Sequence, residues 1–167
     1  GQRLKGKRVL LTGTTKGVGV AAQELLAAAK LAAQGLKAEG YDVDLSDPDA
    51  AKAWVDMAAE RMGGIDVVVN NASKPEFAPF GQMTFAQWKK SLQNELDLVF
   101  TVTNAAWPHL IKAGGGSVIN VSSNNGTTGI GNTPQAAHAA AKAGVIGLAK
   151  QLAAGGAPFG KIGRAHV

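Results

Sequence analysis

Ile65-Asp-Val-Val-Val-Asn70 is a short valine-rich run, bounded by Gly63-Gly64 before it and Asn71 after it. A β-branched run of that length, with turn residues at both ends, reads as a buried strand. Two other segments share its character. Lys7–Thr12 reads Lys-Arg-Val-Leu-Leu-Thr and runs into a glycine, and Ser117–Val121 is followed by a Gly/Asn/Thr-rich loop. Tyr41–Leu45 is a weaker strand, and residues 162–167 look like the start of a last one. Helix-forming segments lie between them. Residues 18–34 are rich in Ala, Leu, Gln and Glu. Asp47 as N-cap and Pro48 at the first helical position open a helix that runs to about Met62 and stops at Gly63-Gly64. Thr84 caps a long helix to about Ala113, with a bend expected at Pro108. A last helix covers roughly residues 134–154. Strands alternating with helices predict an α/β fold: a three-layer, Rossmann-like, doubly wound parallel sheet, in a single domain over residues 1–167.

Composition narrows the function. Apolar residues make up 46% and charged residues 17%, a globular balance. No apolar run approaches the roughly 20 residues of a transmembrane helix, so no membrane partner is expected. The chain has no cysteine, which excludes disulfides, thiolate metal sites and cysteine nucleophiles and fits a reducing cytoplasm. The net charge is +5, but the one dense basic cluster is Arg3, Lys5, Lys7 and Arg8, with no aromatic residue among them. That reads as solvated surface rather than a nucleic-acid face, and an anionic cofactor accounts for part of the balance.

Thr12-Gly13-Thr14-Thr15-Lys16-Gly17-Val18-Gly19 joins the first strand to the first helix. Glycines at such a junction let the backbone turn tightly and approach a pyrophosphate, and the helix N-terminus supplies free N–H groups. The spacing is neither the dinucleotide Gly-x-Gly-x2-Gly nor a Walker loop. In an open parallel sheet, ligands bind beyond the carboxyl ends of the strands. Gly13, Asp44, Asn71 and Ser123 are all expected at such ends, so one cleft can hold them.

This loop resembles that of the short-chain dehydrogenases/reductases, and further matches follow in the family's order. Asp44-Leu45 resembles the pair beside the adenine. Asn70-Asn71-Ala72-Ser73 resembles the Asn-Asn-Ala-Gly signature, with Ser73 in place of glycine. Val121-Ser122-Ser123 resembles the segment with the catalytic serine, and Ala139-Ala140-Ala141-Lys142-Ala143-Gly144 resembles that around the catalytic lysine. The resemblance implies hydride transfer between a nicotinamide cofactor and an alcohol or carbonyl substrate. It places the cofactor against Gly13, Thr15, Lys16, Gly17, Val18, Gly19, Asp44, Leu45, Asn71, Ala72, Ser73 and Lys142. It also implies a Ser-Tyr-Lys group. Lys142 fits the lysine, and Ser123 the serine, with Ser122 as the alternative. The tyrosine position is His138, and the only tyrosine in the chain is the remote Tyr41. The family's helix asparagine falls at Glu95, beside Asn94. His109 and His166 carry no recognisable constellation.

A neutral imidazole can accept an alcohol's proton, so His138 is the expected proton-exchange residue. The second expectation is a catalytically silent dinucleotide-binding protein, acting as sensor or partner. Lys16 in the phosphate loop favours NADP over NAD. The helices around residues 85–113 and 134–154, with Ala136, Ala140 and Ala143, are expected to form a homodimer or homotetramer interface. The family places a helix, a strand and another helix between Gly19 and Asp44, which needs about 35 residues or more. One inner strand–helix segment and the C-terminal part are therefore expected to be missing from this sequence.

Overall fold

The computed structural model describes residues 6–13, 31, 33, 37–131, 133–159 and 164–166, the last three by backbone alone. The glycine-loop residues 14–19 lie outside the described residues, as does nearly all of the helix expected at 18–34.

Four parallel strands form one sheet in chain order: β1 (Val9–Leu11), β2 (Val67–Asn70), β3 (Ser117–Val121) and β4 (Arg164–His166). The register sets Leu10, Val68 and Val118 side by side on one face. All three are buried beneath Val55 and Ala58 of helix α1 (Pro48–Met62) and Val102, Ala106 and Leu110 of helix α3 (Leu98–Lys112). The alternate residues Leu11, Val69, Ile119 and Val121 point to the other face, as the two-residue period of a strand requires. Helix α1 starts and stops as its sequence predicts. The Asp47 carboxylate accepts the N–H of Asp49 and Ala50, and Gly63 closes the helix at φ 72°.

Two expectations are corrected. Tyr41–Leu45 forms no strand; it runs without regular structure into a turn before α1. Its alternation of Tyr, Val and Leu with aspartates suits a strand edge, but none of the described strands pairs with it. The long helix is not continuous either. Helix α2 (Phe85–Leu92), opened by a Thr84–Gln87 capping box, gives way to a π-turn over Gln93–Asp97 before α3. Pro108 does not end α3, which continues to Lys112. The carbonyl that a proline there leaves unpaired is that of Asn104, an exposed residue, where water can satisfy it. Helix α4 (Ala136–Gly156) then packs beside α2, the π-turn and β3.

Arg8 and Asp66 tie the entry of β1 to that of β2. Two guanidinium nitrogens donate to the two carboxylate oxygens at 2.8 and 2.9 Å. These bonds hold the Asp66 carboxyl at about 2, well below its ordinary value. A lowered acid favours the folded state above about pH 4 and loses that contribution as pH falls towards 2. Asp66→Asn should therefore lower the urea midpoint at pH 7 by the equivalent of about 1 kcal/mol after solvent screening. The difference from the wild type should shrink on acidification through that window; a difference constant from pH 7 to pH 2 would exclude this origin.

Candidate active site

The carboxyl ends of the strands carry a layer of polar residues. Thr12 follows β1, and its Oγ1 accepts the backbone N–H groups of Asn71 at 3.0 Å and Ala72 at 3.1 Å. The Asn71 side-chain amide donates to the Gly13 carbonyl. Gly13 has φ +66°, and a Cβ there would stand 2.4 Å from the Ala72 Cα. The two loops touch backbone to backbone, and only glycine fits that contact. One layer deeper, Asn70 Nδ2 donates to Asn120 Oδ1 at 2.8 Å and to Thr103 Oγ1 at 2.9 Å, joining β2, β3 and α3.

Beside this layer lies a buried charged cluster. The π-turn widens the backbone winding between α2 and α3, and π-turns of this kind recur at functional sites. It carries Glu95, whose side chain is fully buried. Both Glu95 oxygens lie within hydrogen-bond distance of His138 Nδ1, Oε1 at 2.8 Å and Oε2 at 2.9 Å. The Ser73 hydroxyl donates to Glu95 Oε1. Lys142 Nζ stands 3.9 Å from the same oxygen and donates to the Val121 carbonyl at 3.1 Å. His138 and Lys142 are one helical turn apart on α4, so both reach the same spot. The edge of one ring meets the other between Phe77 and His138, at 6.2 Å between centroids and 68° between planes. Burial holds the Lys142 ammonium below the ordinary lysine value, and the Glu95 charge works against that shift.

Residues 20–162 match the model of the short chain dehydrogenase family. The chain belongs to that family. It is similar to the 3-oxoacyl-(acyl-carrier-protein) reductase FabG of Thermotoga maritima, at 37% identity over 90% of this chain and 68% of the relative. It is also similar to the D-threitol dehydrogenase of Mycolicibacterium smegmatis, at 31% identity over 91% of this chain and 65% of the relative. The chain thus spans about two thirds of the length of these curated relatives. A gluconate 5-dehydrogenase from Burkholderia cenocepacia J2315, solved in complex with NADP and tartrate, superposes with a TM-score of 0.85 at 28% identity. That match covers 98% of this chain and 71% of the other.

In this member of the family the two serines after β3 have different commitments. Ser122 donates its hydroxyl to the Lys142 carbonyl at 3.0 Å, fixing the strand end to α4. Ser123 caps the short turn Asn124–Gly126, and its Oγ accepts the Asn125 N–H at 3.3 Å; among the described residues no acceptor is engaged by its own proton. Gly126 lets that turn lie against α4: a Cβ there would meet the Lys142 backbone at 2.8 Å. Glu95, His138, Lys142 and Ser73 are brought together, and Gly13, Asn71 and Ala72 form a second group across the β1 and β2 ends. Asp44 and Leu45 are placed differently from expectation. They sit in a turn, where the Asp44 carboxylate accepts the Ser46 N–H and hydroxyl at 2.9 and 2.6 Å. Those bonds, helped by the charge of Lys74, hold the Asp44 carboxyl below its ordinary value. Leu45 packs against the buried cluster of Leu98, Val99 and Val145 and is not at a strand end. Thr15, Lys16, Gly17, Val18 and Gly19 lie outside the described residues. Sequence reasoning missed two participants, Thr12 as acceptor for the Asn71 loop and Phe77 against the His138 ring. Thr12 was visible as the polar residue ending β1; Phe77 carried no signal.

Proposed function

We propose that this chain is the nucleotide-binding and catalytic part of a nicotinamide-dependent oxidoreductase acting on a small alcohol or carbonyl compound. The observation that carries the reading is the convergence of His138, Lys142 and Glu95 beyond the ends of β2 and β3. The residues present fit the cofactor. Lys142 is buried, and among the described residues its ammonium has one hydrogen-bond acceptor, the Val121 carbonyl. Its remaining N–H groups suit the paired hydroxyls of a ribose. Gly13, Asn71, Ala72 and Ser73, with Thr15, Lys16, Gly17, Val18, Gly19, Asp44 and Leu45, would line the rest of the dinucleotide. Bound there, the nicotinamide supplies a hydride acceptor or donor. Ser123 orients the substrate oxygen, His138 exchanges its proton, and Lys142 holds the ribose.

Lys16 supports a preference for NADP over NAD, since a lysine beside a phosphate makes a charge-assisted contact. A homodimer or homotetramer through α3 and α4 is supported by the groove between them, lined by Phe100, Thr103, Asn104, Trp107, Leu148 and Leu152, with Phe100 more than half exposed. A cytoplasmic protein with no nucleic-acid or membrane partner completes the reading. No helix among the described residues is long and apolar enough to cross a membrane. Titration with NADP(H) and NAD(H), followed by a turnover screen over alcohols and ketones, tests the proposal. Binding with turnover supports it. Binding without turnover on any substrate would favour the silent dinucleotide-binding protein.

A further inference from the structure

The chain departs from the family's motifs at three places: serine for glycine at Ser73, glutamate for asparagine at Glu95, and histidine for tyrosine at His138. These positions lie on three separate elements, the loop after β2, the π-turn and α4. In the fold they meet in one hydrogen-bonded cluster, Ser73 to Glu95 and Glu95 to His138. We infer that Ser73, Glu95 and His138 form a single proton-handling unit, in which Glu95 and Ser73 are positioning residues for the His138 imidazole. The inference rests on the proton-exchange role proposed for His138.

The chemistry follows from donor and acceptor types. An ionised carboxylate only accepts hydrogen bonds, so a ring nitrogen held 2.8 and 2.9 Å from its two oxygens carries a proton. In the neutral ring that proton is on Nδ1, which leaves Nε2 as a bare acceptor. The carboxylate also fixes the plane of the ring, and the ring edge of Phe77 restricts it further. The Ser73 hydroxyl restrains the carboxylate in turn, since Oε1 then accepts from both Ser73 and His138. In alcohol oxidation the substrate O–H bond breaks and its proton passes to His138 Nε2. The hydride from the carbon–hydrogen bond would be taken up by an oxidised nicotinamide bound beside the substrate, which supplies the two-electron acceptor. The carbonyl forms, and the Nδ1 proton stays where it is. Carbonyl reduction runs the same transfers in reverse. The arrangement is that of a carboxylate orienting a catalytic imidazole, where the carboxylate selects the tautomer and does not itself take the proton.

The test reads the tautomer directly. Long-range nitrogen–proton NMR correlation on the histidine-labelled protein resolves the chain's three histidines, and the signal absent from His138→Gln identifies the ring. The expected pattern for neutral His138 is a protonated Nδ1 and an unprotonated Nε2. Glu95→Ala should release the ring to the Nε2-protonated form and lower kcat on the order of 10²-fold, with little change in KM. Ser73→Gly should keep the tautomer and lower kcat about 2–10-fold, the worth of one hydrogen bond. A wild-type ring protonated on Nε2, or a tautomer indifferent to Glu95→Ala, overturns the inference. Should Glu95→Ala fail to fold, the wild-type spectrum and Ser73→Gly still decide. Failure of the wider reading looks different: the Nδ1–H pattern is present, but no alcohol or ketone turns over in the wild type.

Discussion

His138→Ala should lower turnover by 10²–10⁴-fold, on the order of what a positioned acid–base group contributes. Affinity for the dinucleotide should hardly change. The imidazole is placed by Glu95 and Phe77, and the cofactor contacts proposed for this chain run through Lys142 and the loops after β1 and β2. The substitution also removes the donor that pairs with Glu95, leaving that buried carboxylate with Ser73 and, at 3.9 Å, Lys142. Some loss of stability is therefore expected, of about 1–3 kcal/mol, because a buried acceptor loses its partner. The two effects separate experimentally. Steady-state rates with cofactor saturating report the chemical step, and cofactor titration of the same variant reports binding. His138→Gln offers a side-chain amide to Glu95 and should recover stability without recovering rate, since an amide neither takes nor gives a proton. Unchanged turnover in His138→Ala would remove the residue from the mechanism.

The residues that fixed the outline of the fold were those whose local physics leaves little choice. Val67–Val69 are β-branched and bounded by turn residues, and they form β2 in the centre of the described sheet. Asp47 and Gly63 marked the ends of α1 because capping is a local interaction. Tyr41–Leu45 failed as a strand because a strand exists only with a partner, and pairing is not written in the segment itself. The π-turn was hidden for a related reason. Gln93–Asp97 has no break in helical composition, and the stretch packs against α4, where the Leu96 side chain lies against Gly144, a contact between segments distant in the chain. The spacing of His138 and Lys142 on one helix was legible without any structure, since positions one turn apart share a face. That Glu95 meets Lys142 could be expected from the family resemblance alone, whereas its hydrogen bonds with His138 could not, because they join residues distant in the chain through a turn that the sequence disguises. Ser73 shows the same limit: it stood out as a departure from the motif, but its role depends on which side chain lies opposite.

Lys142→Met should weaken dinucleotide binding by about 10–100-fold, while the protein remains folded. A charge-assisted hydrogen bond is worth roughly 1.5–3 kcal/mol, and methionine offers none while filling similar volume. Stability should change less than binding, because two opposing contributions vanish together. Burial of the ammonium is unfavourable and is the larger influence on Lys142; attraction to Glu95 is favourable and is also lost. Glu95 keeps its hydrogen bonds from Ser73 and His138, so the carboxylate is not left bare. The pH dependence carries a further mark. A lysine held below its ordinary value binds fewer protons in the folded state than in the unfolded one. The wild type therefore gains stability as pH rises towards the ordinary lysine range near 10.4, where the burial cost is relieved. Lys142→Met cannot make that gain. The wild-type urea midpoint should thus rise relative to that of the variant on going from pH 7.5 to about pH 10, whatever their order at neutral pH. Parallel midpoints across that range, together with unchanged cofactor affinity, would show that the Lys142 ammonium neither bears a burial cost nor reaches the dinucleotide.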